Sequence, residues 1–578
     1  MTAVEDKPFH LPTELWEKVF ALVDLDDVKA VRLAWRRWTN IAARFLFTPF
    51  MFRVDRKDIE RFELVARHDV MLAGIENVRF EVGTMGIEFM SRRLGFTYRQ
   101  EYNAARLPLP RARYTDEELE LAKEKVTQEY AAWNMRWHEA KQDFTDLKTV
   151  KSILTKLTSL QRIEISCAST PLTSELLLEA WMYGSHQKHF KRTHKQFVTL
   201  LLSLKATSSQ IKHLAHDQLP VTFFATKEPL LRNLASSLQH LVTLRLTINA
   251  TNYPHPRCWS GLGIFLRSIP GLQKLRFGFA PFDTGTTNPG MWLSAEDDLA
   301  HWYVPIWKML GEHTWKNLSS LRLDGLMVCE AGLGQLLIRH ASTLRYLNLF
   351  NLALWSGSFE GLLSSLRSEL RLKKFRLWGV ARGFHTPYDG WRLQPLFDVD
   401  DEIWSTQLKT HAMHTNARMT EAWKRLNCLS PLDVSRRIDL FMTPGISWPW
   451  PLHASDALGA LIRPPFFGGH HSEQCQQDCV LGIAQINQAW EEGLKQSLNG
   501  WADNDAPDTQ GIGEEEIIEF FDEDGFDDEG YDRNGLDING GHFMDVYEEW
   551  QGARDPISRY AAERIIRDSI LFQISRYQ

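Results

Sequence analysis

From residue 75 onward the apolar positions of the chain keep returning to one short template, aliphatic-x-x-apolar-x-apolar. It occurs as IENVRF at 75, LQRIEI at 160, LVTLRL at 241, LQKLRF at 272, LSSLRL at 318, LRYLNL at 344 and LKKFRL at 372. Its closing alternation is that of a half-buried strand, so seven short strands are predicted. The last strands are separated by 26 residues from Leu321 to Leu347 and by 28 from Leu347 to Phe375, with helix-like stretches EAGLGQLLIRHAS and SFEGLLSSLRSE between them. Earlier spacings are 31 and 46 residues, and 81 residues part Ile163 from Leu244, so the longer intervals must hold insertions. One of these, at 114 to 144, is rich in strong helix formers and free of Gly and Pro, and predicts a long helix.

The N-terminal pattern is helical instead. Pro12 suits a first helical turn, and Glu14 and Glu17 complement its dipole, which predicts a helix from about Thr13 to Val23. Its apolar residues form two adjoining stripes, Leu15, Val19, Leu22 and Trp16, Phe20, Val23, so one partner surface does not cover them. Asp26 or Asp27 is expected to cap a second helix bearing Val28, Val31, Trp35 and Trp38, and a third apolar stretch, Ile41 to Phe52, finishes the unit. Some 40 residues is near the lower limit for a domain that folds alone. The unit therefore either completes its core against another chain or caps the domain that follows.

Composition narrows the function classes. With 44% hydrophobic and 24% charged residues the 578-residue chain reads as globular. A net charge of -7 argues against nucleic acid as a partner of the whole chain. Cys167, Cys258, Cys329, Cys428, Cys475 and Cys479 are too few and scattered for a disulfide framework, and no run of about 18 apolar residues is present to span a bilayer. The expectation is a cytoplasmic or nuclear protein without a membrane anchor, in which the sequons at Asn249 and Asn317 are chance matches.

Leu11-Pro12, Glu14-Leu15, Val19, Leu22, the acidic turn Asp26-Asp27, Val31-Arg32-Leu33, Arg36-Arg37-Trp38 and Phe45-Leu46-Phe47 together resemble an F-box of the kind common in fungal proteins. The set spans about residues 11 to 52, with one departure, Trp35, where the family often has a small residue or cysteine. The resemblance implies that Leu11, Pro12, Leu15, Val19, Leu22, Leu33 and Trp38 either build a three-helix unit or dock on the Skp-type adaptor of a cullin ubiquitin ligase. The seven strand matches resemble a leucine-rich repeat, although the family's asparagine position is not evident. An ordinary α/β core is the other reading of the same leucines.

On such strands the residue between the two apolar positions faces the concave side of the sheet. Those residues are Arg79, Glu164, Arg245, Arg276, Arg322, Asn348 and Arg376, five of the seven being arginine. Guanidinium forks suit carboxylate and phosphate, so Arg79, Arg245, Arg276, Arg322 and Arg376 are the candidate contacts for an acidic or phosphorylated protein substrate. Alternatively the basic stems only cover sheet surface.

The fold class expected is α/β: a short three-helix F-box at 1–55, then an irregular leucine-rich-repeat-like solenoid at 56–400 with helical insertions. A loop-rich continuation at 401–500, an acidic disordered segment at 501–545 and a C-terminal helix at 546–578 follow. Residues 514 to 529 hold ten acidic residues and no basic one, and run into a five-residue glycine rhythm in which neither Gly525 nor Gly535 satisfies a calcium-loop pattern. His470, His471, Cys475 and Cys479 invite a zinc reading but lack a second separated ligand pair, so a surface loop is the simpler assignment. No HExxH, phosphate loop or nucleophile elbow occurs, and no cofactor, metal or catalytic residue is expected. Two functions fit: a non-catalytic substrate adaptor of a Skp-cullin-F-box ligase, or a repeat scaffold whose N-terminal helices only cap the solenoid.

Overall fold

A computed structural model describes residues 12–34, 38–47, 49–83, 116–167, 190–249, 256–279, 306–383, 390–393 and 431–442. Their architecture is mixed α/β. Three helices, α1 (Thr13–Phe20), α2 (Leu25–Ala34) and α3 (Thr39–Ala43), precede an 11-stranded sheet. Its strands are β1 (Phe50–Arg53), β2 (Asn77–Glu81), β3 (Arg162–Ser166), β4 (His213–Pro220), β5 (Thr243–Asn249), β6 (Lys274–Phe279), β7 (Ser320–Asp324), β8 (Met327–Cys329), β9 (Tyr346–Ser356), β10 (Lys374–Gly383) and β11 (Gly390–Leu393). They lie side by side in chain order, except that β8 pairs with β9 off the main path. Every pair is parallel but β10–β11.

Parallel neighbours cannot be joined by a tight turn, so each return runs through a crossover. The long helix α6 (Asp116–Ala140) and α7 (Leu147–Lys156) lie between β2 and β3, after α4 (Asp58–Val65) and α5 (Asp69–Ala73) in the first crossover. The later crossovers carry α8 (Phe190–Ala206), α9 (Glu228–Ala235), α10 (Pro256–Arg267), α11 (Ile306–Leu310), α12 (Glu330–Arg339) and α13 (Phe359–Glu369), and α14 (Pro431–Met442) packs on β10 and β11. From α7 to α13 each of these helices packs on the next, giving a helical layer behind the sheet.

The repeat is visible in the backbone. The second position of each unit donates its N–H to the carbonyl of the equivalent residue one strand earlier, in the series Glu76, Gln161, Lys212, Val242, Gln273, Ser319, Arg345, Lys373, at 2.7–2.9 Å throughout. The leading aliphatic residues, Ile75, Leu160, Ile211, Leu241, Leu272, Leu318, Leu344 and Leu372, are all buried. Together they form one ridge of the core, which continues through Phe50, Phe52, Phe62, Phe80 and Phe144 at the β1 end, where Phe52 and Phe80 stack at 5.2 Å.

The series has one unit more than the seven matches read from the sequence. β4, within the 81-residue interval, follows the same template from Ile211, but its third apolar position is His216, which hides it. A second difference lies at the N-terminus. Phe50–Arg53 pairs with β2, so the sheet begins inside the interval assigned to the helical unit. The long helix is found at Asp116–Ala140, within the predicted 114 to 144.

Candidate functional site

The N-terminal helices enclose a small core of their own, Phe20, Val28 and Ala42, packed by Trp16, Val23, Val31, Trp38, Ile41, Phe45 and Leu46. Trp38 lies 4.3 Å from Trp16 between ring centroids and meets Phe20 edge-on at 6.3 Å. The cap of α2 is Asp24, whose carboxylate accepts from the backbone N–H groups of Asp26 at 3.0 Å and Asp27 at 2.9 Å. This corrects the expectation that Asp26 or Asp27 caps it: the helix begins at Leu25, so both fall in its first turn.

α1 ends at Phe20 rather than Val23, so Leu22 and Val23 fall in the turn that follows. Trp16 and Phe20 turn inward, while Leu15 is 42% exposed, Val19 39%, Leu22 89% and, on α2, Leu25 46% and Leu33 85%. Pro12 is exposed at the start of α1, and Leu11 lies outside the described residues. These water-facing apolar side chains are not used by the unit's own core. The unit also leans on the sheet domain. A Cβ added at Gly74 would lie 2.4 Å from both Cα and the carbonyl oxygen of Arg44, so only glycine permits that approach. Arg44 in turn pairs with Glu17 of α1 at 2.8 Å.

The second candidate is the arginine row. Cα pairing places Arg79, Glu164, Ala215, Arg245, Arg276, Arg322, Asn348 and Arg376 in one register line across the sheet. All five predicted arginines therefore share one face, with Ala215 of the unread strand among them. The two ends of the line differ in chemistry.

At the β1–β3 end the charges neutralise one another. Arg79 reaches Glu81 at 3.5 Å and Glu164 at 3.8 Å, Arg162 holds Glu164 at 2.7 Å, and Arg53 forks onto Asp55 at 2.9 and 2.8 Å. Arg79 and both glutamates are buried, as is Arg322 on β7, whereas Arg245, Arg276 and Arg376 are half-buried.

At the β5–β10 end cations outnumber carboxylates among the described residues. Arg245, Arg276, Arg322 and Arg376 are joined by exposed Lys274 and Lys374 one alternation earlier, against Asp324 and, on α14, Asp439. Asp324 lies 3.2 Å from Arg322 and 3.8 Å from Arg276, and Asn351 approaches its other oxygen at 3.5 Å. Burial raises its carboxyl pKa from its ordinary value, against the pull of Arg322 and then Arg276. Gly278 makes the room, since a Cβ there would sit 2.6 Å from Asp324 Cβ. The guanidinium of Arg322 also lies over Phe350 at 5.2 Å, and that of Arg376 over Trp378 at 4.2 Å.

Sequence reasoning missed the acidic partners, although Arg79-x-Glu81, Arg162-x-Glu164 and Arg322-x-Asp324 place acid and base on one strand face by simple alternation. The cluster at 470–479, the acidic segment at 514–529 and the C-terminal helix expected at 546–578 lie outside the described residues. No helix of the described residues is long and apolar enough to cross a membrane. No protein-family model matches the chain, and no curated protein matches its sequence.

Proposed function

We propose that the chain is a substrate-recognition adaptor of a Skp-cullin-F-box ubiquitin ligase, with an F-box at its N-terminus and a leucine-rich-repeat-like solenoid as the substrate-binding body. The observation that carries the reading is the outward set Leu15, Val19, Leu22, Leu25 and Leu33 on a three-helix unit whose core is closed by Trp16, Phe20, Val28, Val31 and Trp38. An apolar face of this kind is a docking surface for a Skp-type adaptor, and through it for a cullin. Pro12 begins the same exposed helix, and Trp38 serves the core beneath it.

Substrate capture belongs to the β5–β10 half of the sheet, where Arg245, Arg276, Arg322 and Arg376 offer planar forks to an acidic or phosphorylated segment. Arg79 and Arg322 are the least open of the five, both buried and ion-paired, Arg79 with Glu81 and Glu164 and Arg322 with Asp324, so Arg245, Arg276 and Arg376 lead the set. In this reading the chain performs no bond chemistry. It raises the effective concentration of substrate lysines near the ubiquitin-conjugating partner, in the cytoplasm or nucleus.

A scaffold whose N-terminal helices only cap the sheet domain is the second reading, favoured by the contact of Gly74 with Arg44. Coexpression of the full chain with a Skp-type adaptor and a cullin separates the two. The adaptor reading predicts a stoichiometric ternary complex; a full chain that purifies alone and folded supports the scaffold.

A further inference from the structure

The arginine row and the apolar face leave one buried polar cluster unused. Cys167 follows β3, and His216 and Asp217 sit on β4 where its pairing with β5 slips between His216 and Leu219. One ligand atom from each of the three, the thiol sulfur, a ring nitrogen and a carboxylate oxygen, lies within 4.8 Å of the other two. All three residues are buried, His216 completely. Their spacing in sequence, one residue and then an adjacent pair some fifty positions later, resembles no metal motif and gave no signal on reading the chain.

Each group is held in place. Asp217 accepts from the Cys167 backbone N–H at 2.7 Å and from the Ser166 hydroxyl at 2.5 Å. The His216 ring meets Phe197 of α8 edge-on at 5.4 Å, and its Nδ1 accepts from the Gln218 backbone N–H at 3.2 Å. That hydrogen bond puts the ring proton on Nε2, which is buried with no hydrogen-bond partner among the described residues. A buried imidazole with an unsatisfied nitrogen, beside a thiol and a carboxylate, is an expensive arrangement for a protein core unless something binds there.

We propose that Cys167, His216 and Asp217 form a buried binding site for a divalent cation of the zinc class. Thiolate, imidazole and carboxylate together select zinc or cobalt over calcium or magnesium, which take oxygen ligands alone. Tetrahedral ligands at zinc stand roughly 3.3–3.8 Å apart, so the three groups close in by about 1 Å. The thiol proton leaves to solvent as the sulfur–metal bond forms. Ligation through Nε2 moves the ring proton to Nδ1, so the neutral ring gives up the long Gln218 bond in exchange for the metal. Three protein ligands leave a fourth position, and the cation would pin the end of β3 to the irregular stretch of β4.

Cobalt(II) reports thiolate ligation directly through a sulfur-to-metal charge-transfer band. The chain used is the full, untagged protein with His470, His471, Cys475 and Cys479 replaced by alanine or serine, so that the other candidate cluster is silent. Expected are one cobalt per chain with the charge-transfer band, loss of that band in Cys167→Ser, and at least tenfold weaker binding in His216→Gln and Asp217→Asn. A parent chain without the band, or a band that survives Cys167→Ser, overturns the proposal. If Cys167→Ser does not fold, thermal melting of the parent decides: zinc raises the midpoint and a chelator reverses the rise, whereas a midpoint indifferent to both overturns it.

Discussion

Arg322 donates to Asp324 at 3.2 Å from two positions earlier on the same strand, so the arginine line carries its own counter-ion. The carboxylate also faces Arg276 on β6, and burial raises its pKa against the pull of both guanidinium groups. Among the described residues the face therefore carries more cations than carboxylates where β6 and β7 meet, while the β1–β3 end is balanced. Like charges on strands about 4.8 Å apart need such relief to coexist.

The space Asp324 occupies depends on Gly278. Gly278→Ala is expected to push Asp324 out of line and destabilise the chain by about 1–3 kcal/mol, as overpacking does. Chemical denaturation checks this, and an unchanged midpoint would show that the carboxylate has room elsewhere.

His340 couples the α12 end to the loop before β7. Its Nε2 accepts from the Trp315 backbone N–H at 3.1 Å and its Nδ1 faces the Leu336 carbonyl at 2.8 Å, which fixes a neutral ring. Burial lowers its pKa from 6.5, assisted by Arg339 and opposed by the Leu336 carbonyl. A depressed imidazole pKa means that the unfolded chain binds the proton more tightly. Its stabilising contribution is therefore complete above pH 6.5 and is lost as pH falls through the folded value, with a slope of at most about 1.4 kcal/mol per pH unit. His340→Ala should cost about 2–4 kcal/mol near neutral pH through the stranded Trp315 N–H and the cavity, and should flatten the acid limb of a stability–pH curve.

The seven strands were legible because leucine and its relatives recur at fixed offsets, and the long helix because nothing in it breaks a helix. β4 was not, since His216 stands where the template wants an apolar residue, and periodicity counts only hydrophobicity. The β1 strand followed the helices too closely for a boundary to show. The five arginines and Glu164 follow from alternation, but the burial of Arg79 and Arg322 does not, because it depends on Glu81 and Asp324 two residues further along the same strands. The two stripes of α1 were both visible, yet only the fold shows which one turns inward.

Substrate recognition by the arginine line has a contrast built into it. Arg245→Glu with Arg276→Glu should weaken binding of an acidic peptide by roughly 100-fold or more, each charge-assisted contact being worth about 1.5–3 kcal/mol less any relief from Asp324. Arg79→Glu should leave that affinity alone and instead lower stability, because it sets a third carboxylate against Glu81 and Glu164. A synthetic peptide of residues 514–529, titrated by fluorescence anisotropy into the chain lacking 505–545, is a direct probe. If those residues occupy the line in the intact protein, the shortened chain binds the peptide more tightly than the full one; equal affinity contradicts that internal role.

The adaptor assignment turns on the outward leucines. Leu22→Asp with Leu33→Asp alters two side chains that are 89% and 85% exposed, so the fold should change by no more than about 0.5 kcal/mol. The most direct measurement is the affinity of the full chain for a purified Skp-type adaptor, by calorimetry, with and without this double change. The account predicts tight binding by the unaltered chain and a loss of roughly 100-fold or more in a variant whose thermal midpoint is unchanged. Binding that is absent in both, or equal in both, would contradict it.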